Sequence, residues 1–198
     1  MTNANSSDNV DRLMIVDTLC EKTRLFLLGA GGHAKSCIDV IEQEGSFNVA
    51  GVVEQPAHIE VDNILGYPIL GTDDDLSDLK MKYDYALITV GQIKSPKTRT
   101  RLYERLLELG FELPVIASPL AYVSPHAQIS QGTIVMHHAL GNAGAKVGVN
   151  VIINTKALVE HDATVEEHSH IATGAIVNGG VTIGSGSFFG SAAVSKQY

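Results

Sequence analysis

Between Glu160 and His170 the chain reads EHDATVEEHSH, three histidines among four acids. An imidazole beside a carboxylate is the pairing that proton transfer near neutral pH asks for. The ring titrates close to working pH, and the acid orients it and stabilises its charged form. His161 followed at once by Asp162 offers that pairing, and Glu160 on its other side is the alternative orienting acid. The same stretch could instead serve a metal, with His161 and either His168 or His170 as zinc ligands. A histidine on a repeating surface is most often simply solvated, and that is the expectation for His137, His138 and His168.

What holds these residues counts in sixes. From Val123 the sixth residue is apolar at eleven of twelve positions through Phe189, the exception being Gly141. The register from Ala121 to Ala193 stays small: Ala, Ser, Thr or Val throughout. Strands repeat every two residues and helices every 3.6, so neither accounts for the beat. A hexapeptide β-helix does: each unit is a short strand and a turn, three units close a triangular coil, and coils stack in parallel. The large residue fills the prism and the small one turns the corner. The count stops near Val194 with no capping element, so either something else covers the last coil or the complete form is longer. Prism faces that one chain leaves bare predict a trimer.

Before the prism, apolar bursts alternate with amphipathic stretches. Strands are expected over Leu25–Leu28, Asn48–Val53, Tyr85–Val90 and Phe111–Ile116. Helices are expected over Ala34–Glu44, Asp73–Met81 (capped by Thr72 or Asp73) and Pro96–Leu109. Such alternation predicts a parallel α/β sheet with crossover helices. GAGGHAK, Gly29 to Lys35, sits between the first strand and helix. Its glycines can turn the backbone and aim N–H groups at a phosphate, although Ala34 replaces the third glycine of GxGxxG and a plain tight turn is the alternative. Glu54 ends the second strand, where Rossmann-like folds place an acid near a ribose, and Gly91 follows the third on the same sheet edge. A nucleotide-bearing ligand fits this edge; a full dinucleotide does not, because the sheet is half of the usual double unit.

Composition sets outer bounds. The 198 residues carry a net charge of −8, with 44% hydrophobic residues, so a packed protein is expected and neither nucleic acid nor membrane insertion is. Eighteen of 22 acids precede Ser118, which separates a charged first region from a prism-forming second. Cys20 and Cys37 are too few for a disulfide framework or a thiolate metal site, and a cytoplasmic setting is the default. Residues 1–23 read as a polar tail, with a short helix near DRLMIVDTLCEK.

In order, GAGGHAK, GYPILGTDDDL, ALITVGQ, SPLAYVSPHAQI and INTKALVEHDATVEEHSHIATGA resemble the bacterial sugar acetyltransferases related to the bacillosamine-pathway N-acetyltransferase and the sialic acid O-acetyltransferases. The resemblance runs from Arg24 to Val194. It implies a nucleotide-sugar domain over 24–117, a left-handed parallel β-helix over 118–198, a homotrimer, and acetyl-CoA bound between adjacent prisms. Carried over by position, His161 matches the general base and Asp162 its orienting acid. His170 and Gly179 match acetyl-CoA-side positions, and Asn154 lies on the active-site rim. Gly29, Gly31 and Gly32 match the phosphate turn, while Glu54-Gln55 stands where the family has an acidic pair. The implied activity is direct acetyl transfer from acetyl-CoA to an amine or hydroxyl of a sugar in cell-surface glycan synthesis, without a metal. The sugar is expected to be nucleotide-linked. The rival readings are a trimeric zinc enzyme of γ-carbonic-anhydrase type and an inactive scaffold. Metal analysis separates the first, and acetyl-CoA binding the second.

Overall fold

Leu25 to Leu28 are four consecutive apolar residues with almost no exposure, as a strand covered on both faces requires. They belong to β1 (Thr23–Leu28) in the computed structural model, which describes residues 23–55 and 62–196. The N-terminal tail and its expected short helix lie outside the described residues. After β1 come α1 (Gly32–Glu44), β2 (Phe47–Val53), β3 (Asn63–Ile64) and β4 (Tyr67–Gly71). A 3₁₀ turn at Asp73–Asp75, capped by the Thr72 hydroxyl and the Asp75 carboxylate, leads into α2 (Leu76–Lys80). Then follow β5 (Tyr85–Ile88) and α3 (Lys97–Glu108). The sheet order is β3-β4-β2-β1-β5.

Two features depart from the sequence reading. The sheet is mixed, because β3 runs antiparallel to β4 at the edge. Its hairpin turns on Leu65 and Gly66, both at positive φ (49° and 87°), the pair of conformations a two-residue hairpin needs. Leucine rarely adopts one of them, so the turn did not announce itself. The fourth strand also fails to form. Glu112 makes a single parallel bridge to Tyr85, and then Pro114, with no N–H to offer, cannot extend a ladder. Two residues later the chain enters a different sheet as β6 (Ile116–Ala117), paired with the prism.

The hexapeptide count holds to the residue. Strands fall on Tyr122–Val123 (β7), Gln128–Ile129 (β8), Ile134–Val135 (β9), Leu140–Gly141 (β10), Lys146–Val147 (β11) and Ile152–Ile153 (β12). They continue through Leu158–Val159 (β13), Thr164–Val165 (β14), His170–Ile171 (β15), Ile176–Val177 (β16), Thr182–Ile183 (β17) and Phe188–Phe189 (β18). Every third strand stacks in parallel, giving three faces: β7-β10-β13-β16, β8-β11-β14-β17 and β6-β9-β12-β15-β18. The second residue of each strand points inward, and those from Val135 to Ile183, Gly141 excepted, form one apolar core with the small corner residues Ala139, Ala145, Ala157, Ala163 and Ala175. Corners also demand a residue at positive φ, filled by glycine at 132, 144, 174, 180 and 186 and by Asn150 and Asp162 among others.

The three faces differ in their outward residues, and that difference organises the molecule. The face carrying Ile116, Ile134 and Ile152 is buried and shares a core cluster with Cys37, Ile38 and Ile41 of α1. One apolar cluster therefore joins sheet and prism. The second face shows Gln128, Lys146, Thr164 and Thr182. The third shows Tyr122, Leu140, Leu158 and Ile176, an apolar ladder that no part of the described chain covers and whose Tyr122 is 57% exposed.

Candidate functional site

The carboxyl ends of β1, β2 and β5 open into a cavity of about 510 Å³. Gly29, Gly31, Gly32, Glu54 and Gly91 all line it, together with His33, Gln55, Thr89, Val90, Ile93 and Thr98. The glycines are there for different reasons. Gly29, at φ +106°, lies so close to β5 that a Cβ would meet Val90 Cγ2 at 2.7 Å. At Gly31 and Gly32 a Cβ would meet nothing within 4 Å, so the chain's own packing does not require glycine there. Gly31 caps α1 with no side-chain hydrogen bond, and no acid lies in the helix's first turn. The Glu54 carboxylate reaches back into this turn, accepting the Ala30 N–H at 2.6 Å and the Gln55 N–H at 2.7 Å.

His33 was not singled out from the sequence, although it follows the glycine pair directly. Burial, and then the nearby Arg99 and His170, push its pKa down to about 3, so the ring is neutral at physiological pH. Cys37, which contacts His33 at 3.5 Å, is pushed up to about 12 by burial and stays a thiol. Behind the cavity runs the seam with the prism. His170 is 7% exposed, and its Nδ1 lies 2.7 Å from the Gln92 carbonyl. A carbonyl only accepts, so Nδ1 carries the proton and Nε2 accepts from Asn154 Nδ2 at 3.0 Å. Burial holds the His170 pKa below its ordinary value. Gln92 closes the seam further, donating from Nε2 to the His168 carbonyl at 2.9 Å.

Two histidines expected to be solvated are built into this seam instead. His168 Nδ1 pairs with Asn150 Nδ2 at 3.0 Å, and its ring meets Tyr103 edge-on at 5.3 Å. His137 joins Ser118 Oγ at 2.6 Å and Asp39 at 2.7 Å, tying α1 to a prism corner. Tyr103 and Asp39 reach these rings from the sheet region, while Asn150 and Ser118 meet them from the prism itself, one coil back. His138 is exposed, as expected.

His161, Asp162 and Gly179 do not line the cavity; they share a different corner, where β13 turns into β14. His161 Nδ1 lies 3.1 Å from Asp162 Oδ2, which leaves Nε2 as the lone-pair nitrogen. Glu160 is otherwise engaged: it accepts the His161 backbone N–H at 3.0 Å and Asn142 Nδ2 at 2.8 Å. The ring lies against Gly179, one coil further on. A Cβ at that position would meet His161 Cε1 and Nε2 at 2.7 Å, so the imidazole occupies the space glycine leaves. Half of the His161 side chain is exposed, and the corner borders the apolar ladder. Among the described residues no group of three or more His, Cys, Asp or Glu could hold a metal ion, and His161 and His168 stand at different corners of the coil.

The fold, a sheet region followed by a hexapeptide-repeat prism, is that of solved acetyltransferases. Residues 24–106 match the PglD N-terminal domain family. The acetyltransferase domain of PglB from Neisseria gonorrhoeae FA1090 is 34% identical, with 88% of this chain and 82% of that one aligned at a TM-score of 0.79. It is also solved in complex with acetyl coenzyme A. PerB from Caulobacter crescentus, in complex with CoA and GDP-perosamine, is 28% identical over 87% of this chain and 88% of that one, at a TM-score of 0.74. A GDP-perosamine N-acetyltransferase of Escherichia coli O157:H7 is 28% identical over 177 residues, 86% of this chain and 77% of its own. The chain belongs to this family of bacterial sugar acetyltransferases.

Proposed function

We propose that the chain transfers acetyl from acetyl-CoA to an amino or hydroxyl group of a nucleotide-linked sugar, with His161 as general base. The observation that carries this reading is the corner at His161: a half-exposed imidazole, held by Asp162 through Nδ1 and seated in the space left by Gly179. Nε2 takes the proton from the attacking acceptor atom as that atom adds to the thioester carbonyl. The Gly179 N–H is the donor for the oxyanion, and collapse of the adduct expels the CoA thiol. The cavity at Gly31, Gly32 and His33 takes the acceptor's diphosphate on backbone N–H groups at the start of α1. Relatives of this build are described with acetyl coenzyme A or with CoA and GDP-perosamine, which supports both halves of the assignment.

Cavity and base sit apart within one chain, and the corner with the base borders a bare apolar face. A homotrimer packed through Tyr122, Leu140, Leu158 and Ile176 brings the base of one copy toward the acceptor held by its neighbour. The two regions then act as an acceptor-holding domain and an acetyltransferase domain. Among the described residues no helix is long and apolar enough to cross a membrane. A cytoplasmic setting, where activated precursors of surface glycans are made, belongs to the same proposal. The test is turnover with nucleotide-linked amino sugars. His161→Ala should lower kcat by about 10²- to 10⁴-fold while acetyl-CoA binding holds, and near-normal turnover at saturation would remove the base assignment.

A further inference from the structure

Among the described residues, the cavity just assigned to a diphosphate is lined by one carboxylate, Glu54, and by no lysine or arginine. A cation nevertheless lies directly behind it. Arg99 is 1% exposed, in the first turn of α3, next in sequence to Thr98 of the cavity wall. Its Nη1 donates to the carbonyls of Ile88 at 2.9 Å and Val90 at 2.8 Å, the end of β5 that forms the cavity rim. Its Nη2 donates to Asn150 Oδ1 at 2.6 Å and to the Asn150 carbonyl at 3.2 Å, across the seam on the prism. Nε has no hydrogen-bond partner among the described residues.

Every one of those acceptors is neutral. Cys37, beside the guanidinium, is held as a thiol and supplies no counter-charge. Burial lowers the Arg99 pKa only to about 10, so the charge is present at physiological pH. A fully buried cation without a carboxylate is expensive, and an apolar side chain would join the same two surfaces at lower cost. Resting on the acceptor reading above, we propose that Arg99 is a positioning residue for the acceptor. It fixes the β5 end of the cavity to the prism corner at Asn150, and its uncompensated charge supplies the positive potential that the bound diphosphate neutralises. Ligand and buried cation then complete a pair that the folded chain leaves half-made, and the positive field needs no cationic side chain in the cavity itself.

The test separates charge from scaffolding. GDP, UDP and dTDP are titrated calorimetrically into wild type, Arg99→Lys and Arg99→Gln, with guanosine, uridine and thymidine as uncharged counterparts and thermal melting as the stability readout. For the diphosphate that wild type binds best, Arg99→Gln should weaken binding by about 10-fold or more and its nucleoside by much less. Arg99→Lys should recover most of the diphosphate affinity at pH 7. A lysine buried there has a depressed pKa, so that recovered affinity should fade between pH 7 and 8.5 while wild type stays flat. His33 on α1 and His168 and His170 on the prism face the same spot with lowered pKa values, and Cys37 with a raised one, so none of them titrates in that window. The lysine titration alone decides the matter if the glutamine variant does not fold. Equal loss of diphosphate and nucleoside, or a pH-independent lysine variant, overturns the proposal and leaves the acceptor reading standing. Absence of diphosphate binding to wild type overturns both.

Discussion

At the scale of single residues, the site is defined by where a side chain is missing. Gly179 is a glycine because the His161 ring fills the volume a Cβ would take. Gly179→Ala should therefore push the imidazole off Asp162 and out of line, costing roughly 10- to 100-fold in kcat with little change in melting temperature, since the half-exposed His161 ring can swing toward solvent. Gly31 is the contrast. Nothing surrounds its Cβ direction and its φ of −72° is ordinary, so Gly31→Ala should fold as wild type. Its effect should appear as a raised KM for the sugar nucleotide alone, because the added methyl projects into the space assigned to the phosphate. Steady-state kinetics with each substrate varied in turn distinguishes the two outcomes. Swapped behaviour would reverse the assignment of base corner and acceptor cavity.

At the scale of elements, each coil of the prism pairs with its neighbours above and below. Ile171 is fully buried, and the strand that carries it pairs with β12 on one side and β18 on the other. Ile171→Ala should cost about 2–5 kcal/mol, measured by denaturant melting, because stacked coils cannot close over the lost volume. The sheet's elements show a different logic. The glycine turn, β2 and β5 end on one edge because parallel strands must, and that edge supplies the cavity. Arg99 in KTRTRLYER reads as one more surface charge, yet it lies three and seven residues before Leu102 and Leu106, on the stripe that α3 buries. A charged residue on an apolar stripe is the signal that finds it.

At the scale of the whole molecule, one face of the prism is covered by α1, one is polar, and one is a bare apolar ladder. Leu158→Glu should convert the proposed trimer to monomers by light scattering, and turnover should fall roughly tenfold or more even though His161 is untouched. An active monomer would refute the shared site. The seam makes a second whole-molecule prediction. The His33 pKa is about 3 in the folded protein against 6.5 as its ordinary value. Between those values the unfolded chain binds a proton that the folded one refuses, so stability is lost as pH falls through that window. His168 and His170 are shifted in the same direction, and all three sit at the seam. His33→Asn should accordingly lose less melting temperature than wild type between pH 7 and 4.5. An equal loss would show that acid acts elsewhere.

The sequence by itself determined the prism, because a six-residue beat is a local rule that every coil must obey: large residue in, small residue at the corner. It also marked the glycine turn, Glu54 and the His161-Asp162 pair, since adjacent residues and strand ends stay together in any fold that keeps those elements. The tertiary structure decided what depends on two surfaces meeting. It chose Asp162 over Glu160 as the ring's partner, because Asn142 from the coil before and the His161 backbone hold Glu160. It turned His137 and His168 from surface residues into seam residues, moved the fourth strand's residues out of the first sheet at Pro114, and buried Arg99 between β5 and Asn150. Those outcomes rest on contacts between residues tens of positions apart, and the energy of such a contact belongs to the pair, so neither sequence neighbourhood contains it.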